Sequence, residues 1–204
     1  MSNRFVLAAI FSVSAALAAT TSLAAGDAAA GKTKAAACAA CHSADGNSVN
    51  PVWPKLAGQH ATYLVKQLTN FKAGDRNNAM MAPMAAPLSE QDMADIAAYF
   101  SGQTQNGGKA DPALVAAGEK LFRGGNATTG VAACMGCHGP NGMGNPPANF
   151  PRLSGQHAAY TVTQLKTFRS GERANDAGKM MQNIAARMTD AEMQAVASYI
   201  EGLR

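Results

Sequence analysis

The sequence has few aromatic residues, little charge and no long run of charge of one sign. Trp, Tyr and Phe make up 6% of its 204 residues, and Asp, Glu, Lys and Arg make up 15%. The lysines and arginines are spread along the chain, so nothing supports a nucleic-acid-binding surface. No segment shows sustained alternation of polar and apolar residues. The sequence therefore predicts an all-α chain without a sheet.

The longest apolar stretch lies at the N-terminus and is short for a membrane span. Arg4 precedes an apolar segment at residues 5–19, and Ser22-Leu23-Ala24 has the small-x-small pattern of a cleavage site. We predict that residues 1–24 are a signal peptide that directs export to the periplasm. An uncleaved N-terminal anchor is the alternative. Cleavage would leave a mildly basic chain of residues 25–204.

All four cysteines of the chain fall in two copies of one short motif. Cys-x-x-Cys-His occurs at residues 38–42 and again at residues 134–138. This spacing is the attachment signature of a c-type haem, in which the thiols bind the haem edge and the histidine offers a neutral imidazole to the iron. Two such groups would also supply apolar core volume to a chain that is poor in aromatic residues. We predict two haem c groups that are attached through Cys38, Cys41, Cys134 and Cys137, with His42 and His138 as iron ligands.

Two other uses of paired cysteines compete with this interpretation. The four thiols could form one zinc site, or each pair could be a redox disulfide. A zinc site does not require a histidine after both pairs, and a thioredoxin-like motif would lie in a βαβ context that the sequence lacks. Haem attachment is therefore favoured.

The chain after residue 24 is a tandem repeat of about 100 residues. Gly-Gln-His-Ala at residues 58–61 recurs at residues 155–158. Two copies of such a unit indicate two domains rather than a solenoid. We predict helical domains at residues 25–107 and 108–204, each wrapped around one haem, with the Gly-, Gln- and Asn-rich segment 102–109 as their linker.

Helix signals recur at equivalent places in both copies. The predicted helices cover residues 27–37, 60–71 and 158–168, with another that starts at Asp111 and Pro112. The final helix of each copy opens with a capping box, Ser89 to Asp92 and Thr189 to Glu192. Loops rich in Gly, Pro and Asn follow each haem motif.

The second axial position of each iron separates an electron carrier from a ligand-binding or catalytic site. A ligand that both halves need should occur in both, and three methionine pairs do so. Met93 and Met193 lie in the apolar stripe of the final helix and are assigned to the core. The doublets Met80-Met81 and Met180-Met181 remain, in a predicted loop before that helix. We choose Met81 and Met181 as ligands, and their neighbours Met80 and Met180 stay open as alternatives.

Histidines could also fill the second axial position. His60 and His157 are shared by both halves and would give two bis-histidine haems. Their place at the start of a helix favours a partly buried or propionate-contacting role instead.

Further shared residues are expected around the haems. The carbonyls of Pro54 and Pro151 follow the histidines at nearly equal spacing and are predicted to accept the second ring N–H of His42 and His138. Trp53 and Phe150 are expected to pack on the porphyrin. The shared polar residues that could hydrogen-bond the haem propionates are Lys55, Arg152, Gln59, Gln156, Tyr63 and Tyr160.

The tandem haem motifs, the Pro-Lys/Arg-Leu-x-Gly-Gln stretches and the late methionines resemble the cytochrome c4 family. The resemblance extends over the chain after the signal peptide, including residues 25–31 and 118–125. It implies two class I cytochrome c domains, His/Met ligation of both irons, and haem propionates close together across the domain interface. It also implies a periplasmic electron carrier, soluble or loosely associated with the membrane, that serves a terminal oxidase.

We therefore expect an electron carrier of a bacterial respiratory chain and not an enzyme. Its donor would be a quinol-oxidising complex or another redox protein, and its acceptor a terminal oxidase. The alternative is a di-haem enzyme, peroxidase-like or another oxidoreductase, with one open iron, and the methionines in both halves argue against it. A third possibility is a subunit or sensor in which haem is structural.

Overall fold

The computed structural model describes residues 25–204, and the predicted signal peptide at residues 1–24 lies outside this range. The described chain is helical, with isolated β-bridges as its only extended pairing, which confirms the all-α prediction. None of its helices is long and apolar enough to cross a membrane. The helices are α1 (Ala28–Lys34), α2 (Ala39–His42), α3 (Ala61–Ala73), α4 (Met81–Ala85), α5 (Glu90–Ser101), α6 (Pro112–Gly124), α7 (Met135–His138), α8 (Ala158–Ser170), α9 (Met180–Ala185) and α10 (Asp190–Gly202).

Local signals in the sequence set the ends of the longer helices. Asp27 and Asp111 cap α1 and α6 by accepting backbone N–H groups, and Pro112 occupies the first turn of α6. The two predicted capping boxes are present, because Ser89 and Thr189 each exchange hydrogen bonds with the third residue of the helix that follows. Such caps satisfy N–H groups that would otherwise lack a partner.

The first and last helices of each half cross at a glycine. A Cβ atom added to Gly31 of α1 would lie 2.0 Å from the carbonyl oxygen of Asp95 in α5. In the second half, a Cβ on Gly118 of α6 would lie 2.2 Å from the carbonyl oxygen of Ala195 in α10. Only glycine allows the two backbones to approach this closely.

Each half has its own apolar core. The first cluster comprises Ala35, Leu64, Ile96, Ala97 and Phe100. The second is centred on α6, α8 and α10, and its fully buried members include Phe122 and Met193. The segment between α5 and α6, residues 102–111, has no regular secondary structure.

The prediction that the methionine doublets lie in a loop is wrong. Met81 begins α4, and Met180 and Met181 begin α9. Just before α4, the side-chain oxygen of Asn78 accepts from the backbone N–H groups of Met80 and Met81. Pro83 is tolerated because it lies in the first turn, where the backbone N–H has no partner within the helix.

Candidate haem sites and the seam between the halves

Both predicted iron-binding histidines are buried and held in one tautomer. His42 ends α2 and His138 ends α7, and each is 7% exposed. Their Nδ1 atoms lie 2.9 Å from the carbonyl oxygen of Pro54 and 3.0 Å from that of Pro151. Because a carbonyl only accepts, Nδ1 carries the proton and Nε2 keeps the lone pair that can bind iron.

Burial also keeps these two imidazoles neutral. It lowers the pKa of His42 and of His138, and the hydrogen bond to the proline carbonyl opposes this effect only in part. A neutral ring is the form that binds a metal ion.

The four cysteines lie in two separate pairs, and none of them forms a disulfide. Burial raises the pKa of the Cys38 thiol, and it raises the pKa of the Cys134 thiol to about 11. Within residues 25–204, no three His, Cys, Asp or Glu side chains are grouped as metal ligands. The described chain therefore does not assemble a zinc site of four thiolates.

The two members of each methionine doublet differ in their surroundings. Met80 is 56% exposed and Met180 is 41% exposed, whereas Met81 and Met181 are half-buried. Met181 also packs against the apolar core of the second half. Each half thus has a neutral imidazole, one half-buried methionine and two thiols at haem-attachment spacing, and these residue types fit a haem c.

An aromatic residue precedes each of the two shared prolines. The ring of Phe150 is 6.1 Å from the ring of His138, measured between centroids. Trp53 is half-buried in the first half. Their predicted packing on the porphyrin remains a prediction.

The shared polar residues gather at the contact between the halves, which we call the seam. Gln59 and Gln156 each bond to the backbone of the opposite half, at Arg152 and Lys55 respectively. The ammonium group of Lys55 donates to the carbonyl oxygens of Asn106 and Gly155. The predicted contacts of these residues with haem propionates remain predictions, but their protein partners show that they join the two halves.

His60 and His157 also reach across the seam. Nε2 of His60 lies 2.7 Å from the carbonyl oxygen of Met143, and Nε2 of His157 lies 2.8 Å from that of Ser48. Nε2 of each imidazole is thus bonded to the backbone of the opposite half. This arrangement argues against the bis-histidine alternative.

Two arginines at the seam were missed from the sequence. Arg76 and Arg173 are buried, and each stacks on a phenylalanine of its own half, Phe71 or Phe168. Their shared hydrogen-bond acceptors are the amide oxygens of Gln67 and Gln164. Each arginine follows the glutamine of its own half by nine residues, and this repeated spacing was the signal that could have revealed the pair.

Each arginine also donates to a tyrosine of the opposite half. Arg76 lies 3.1 Å from the hydroxyl of Tyr160, and Arg173 lies 2.9 Å from that of Tyr63. Burial alone would raise the pKa of Tyr63, but the charges of Arg173 and Arg76 outweigh it, and the pKa is lowered. The two tyrosines therefore belong to a polar network that spans the seam.

Comparisons with known proteins agree with this geometry. The family model described as Cytochrome c matches residues 28–103 and 115–204. Cytochrome c4 from Pseudomonas aeruginosa is 55% identical, over 88% of this chain and 90% of the relative. A thiosulfate dehydrogenase electron acceptor from Thiomonas intermedia is 43% identical, over 84% of this chain and 81% of the relative. The crystal structure of reduced recombinant cytochrome c4 from Pseudomonas stutzeri is 53% identical, with a TM-score of 0.86, and the match covers 88% of this chain and 100% of that one.

Proposed function

The chain belongs to the cytochrome c4 family, and from this premise we propose that it is a periplasmic carrier of a respiratory chain that delivers electrons to a terminal oxidase. Family membership makes the protein a di-haem electron carrier with two haem c groups. The compartment, the respiratory role and the direction of delivery belong to the proposal. So do the domain limits, residues 25–107 and 108–204.

The observation that carries the proposal is the same donor set in both halves. We assign covalent attachment to Cys38 and Cys41 in the first half and to Cys134 and Cys137 in the second. The axial ligands are His42 with Met81 and His138 with Met181. Haem iron that is bound between an imidazole and a thioether exchanges single electrons and has no open position for a substrate.

The chain's own groups prepare each site for this role. The carbonyls of Pro54 and Pro151 fix the histidine tautomer and hold the imidazole in place. Burial of both histidines keeps water from their rings and keeps them neutral. Because each half has a complete site, an electron can enter through one half and leave through the other.

The donor is proposed to be a quinol-oxidising complex or another redox protein. A thiosulfate-oxidising enzyme is a second candidate, because the relative from Thiomonas intermedia is named as the electron acceptor of thiosulfate dehydrogenase. Contacts with either partner would be small and transient, as is usual for electron-transfer encounters.

Reoxidation by membranes tests the direction of delivery. Reduced holoprotein would be added to oxidase-containing membranes from the source organism, and both its absorbance and the oxygen uptake would be followed. We expect repeated, cyanide-sensitive reoxidation that increases with the amount of protein. Membranes that consume oxygen at the same rate with and without the protein would contradict delivery to an oxidase.

Two further measurements separate the carrier from an enzyme and test its compartment. The purified protein should keep its spectrum when carbon monoxide or peroxide is added, whereas binding of either ligand would indicate an open iron.

The protein from the periplasmic fraction should begin at Ala25. A chain that retains residues 1–24 in the membrane would instead support the uncleaved anchor.

A further inference from the structure

One peptide group in each half connects the iron-binding histidine to the opposite half. In the first half it is the peptide between Pro54 and Lys55. Its carbonyl oxygen accepts from Nδ1 of His42 at 2.9 Å, and its N–H donates to Oε1 of Gln156 at 2.9 Å. The histidine of one half and the glutamine of the other are therefore bonded to opposite ends of a single amide.

The second half repeats this arrangement with the partners exchanged. The peptide between Pro151 and Arg152 accepts from Nδ1 of His138 at 3.0 Å and donates to Oε1 of Gln59 at 2.9 Å. The two glutamines thus cross the seam in opposite directions. Each one bonds to the peptide that accepts from the iron-binding histidine of the other half.

Each glutamine is fixed at its place by further hydrogen bonds. Nε2 of Gln156 donates to the carbonyl oxygen of Lys55, and Nε2 of Gln59 donates to that of Arg152, both at 2.9 Å. The amide oxygens also accept the backbone N–H of the histidine that follows each glutamine. Both side chains are buried, at 7% exposure for Gln59 and 6% for Gln156. Hydrogen bonds in such a water-poor environment polarise one another more strongly than in water.

We propose that Gln156 tunes the iron bound by His42 and that Gln59 tunes the iron bound by His138, each across the seam. When a peptide N–H donates a hydrogen bond to an acceptor, the carbonyl oxygen of the same peptide becomes more negative. That oxygen then accepts more strongly from the imidazole, which becomes a more basic iron ligand and favours the ferric state. The two glutamines are positioning residues that act through a peptide and a histidine.

This crossed tuning differs from a merely structural role in its consequences. If the glutamines only held the halves together, the loss of either would loosen one shared seam and disturb both sites alike. In the crossed arrangement, loss of Gln156 changes the site of the first half, and loss of Gln59 changes the site of the second.

The test uses Gln156→Leu and Gln59→Leu in the complete holoprotein. The Nδ1–H resonances of His42 and His138 would be assigned by NMR in the reduced, diamagnetic state, and the midpoint potential of each site would be measured. We expect Gln156→Leu to shift the His42 resonance upfield and to raise the potential of the first half. Gln59→Leu should do the same to His138 and the second half. The ferric–ferrous equilibrium of the affected site should change about two- to tenfold, and tenfold corresponds to about 59 mV for one electron.

Two further variants make the test specific. Gln164→Leu removes another glutamine from the seam, one that accepts from Arg76 and Arg173 rather than from either peptide. It should leave both Nδ1–H resonances in place. Gln156→Glu keeps an acceptor for the N–H of Lys55. In this variant the His42 resonance should lie at its wild-type position or downfield of it, and not upfield as in Gln156→Leu.

Three outcomes would overturn the proposal: no shift, equal shifts at both histidines, or a shift confined to the half that carries the substitution. The inference relies on His42 and His138 as iron ligands, and the wild-type spectrum tests that assignment separately. If these two resonances lack the shifts of iron-bound imidazoles, the ligand assignment fails. If they have them and the variants do not respond, the crossed tuning alone fails.

Discussion

Each methionine doublet has one half-buried side chain, which we call the inner methionine, and one exposed side chain, which we call the outer methionine. Met81 and Met181 are half-buried, whereas Met80 and Met180 are exposed. A ligand to an iron inside the protein must come from a side chain that points inward. We therefore propose the inner member of each doublet as the ligand.

Replacement of the inner methionines should alter one site at a time. We expect Met81→Ala to lower the potential of the first half and Met181→Ala to lower that of the second, because a thioether ligand raises the potential of haem iron. A spectroelectrochemical titration of the wild type and both variants measures this. The unaltered half should remain low-spin in each case.

The outer methionines are the matched controls for this experiment. Met80→Ala and Met180→Ala should leave both potentials within the error of the titration. If Met80→Ala or Met180→Ala instead lowered a potential, the outer methionine would be the ligand in that half.

The sequence predicts the residues at each site better than it predicts what they contact. The spacing of Cys38, Cys41 and His42 is enough to predict haem attachment, and the Pro54 carbonyl lies where it was expected. Gln59 and Gln156 were assigned to the haem surroundings because they recur. Their bonds depend on how the halves dock, and no local sequence pattern contains that information.

The crossing of the first and last helices in each half depends on one glycine. A Cβ on Gly118 would clash with the carbonyl oxygen of Ala195 at 2.2 Å, so the two helices would have to move apart. We expect Gly118→Ala to lower the free energy of unfolding by about 1–3 kcal/mol, the usual cost of overpacking. Urea denaturation of the holoprotein, followed by circular dichroism, measures this change.

Gly124 in the same helix is the control. A Cβ there meets no atom within 4 Å, so Gly124→Ala should be neutral or stabilising by up to about 1 kcal/mol. Equal destabilisation by both substitutions would show that the close crossing is not the reason for Gly118.

The corresponding crossing in the first half also has an ionic contact. Lys34 of α1 pairs with Asp92 and Asp95 of α5, and the side chain of Asp95 is 3% exposed. In the second half, Ala195 occupies the position that corresponds to Asp95 in the repeat. The hydrogen bond from Lys34, followed by those from the backbone of Asp27 and from Gln91, lowers the pKa of Asp95.

This pairing should make the first half sensitive to acid. A carboxyl whose pKa is lowered by folding stabilises the protein above its unfolded pKa of about 4 and loses this effect as the pH falls. We expect Asp95→Asn to lower the melting temperature at pH 7, and the difference from the wild type to shrink towards pH 3. Thermal unfolding at pH 7, 5 and 3 measures it. A difference in melting temperature that stays constant with pH would contradict the role of the charge. The control is Glu119→Gln, because Glu119 forms an exposed ion pair with Arg123.

Element length explains which helices could be predicted. The helices α3, α5, α6, α8 and α10 have 12 or 13 residues, long enough for an apolar period and a cap to be recognised. The helices α4 and α9 have five and six residues, which is too short for an apolar period to be recognised in the sequence.

At the scale of the whole molecule, contacts across the seam join the two halves into one unit. Arg76 donates to Tyr160 and Gln164 of the opposite half and covers the ring of Phe71 in its own. Arg173 makes the reciprocal contacts. The repeat in the sequence predicts two similar halves, but not the face through which they meet.

Loss of one seam arginine should uncouple the halves. We expect Arg76→Ala to destabilise the protein by about 1.5–3 kcal/mol, the usual value for hydrogen bonds to a charged group. Differential scanning calorimetry should then resolve two transitions, whereas we expect a single transition for the wild type. Arg123→Ala, at an exposed site away from the seam, is the control and should keep the wild-type profile. Two transitions already in the wild type would contradict this coupling.

The most direct consequence of the paired sites is the number and type of irons that one chain holds. Near-infrared magnetic circular dichroism of the ferric holoprotein, normalised to chain concentration, counts the irons that are bound by one imidazole and one thioether. We predict two such low-spin irons per chain. One such iron per chain, a bis-imidazole signal or a high-spin signal would contradict it.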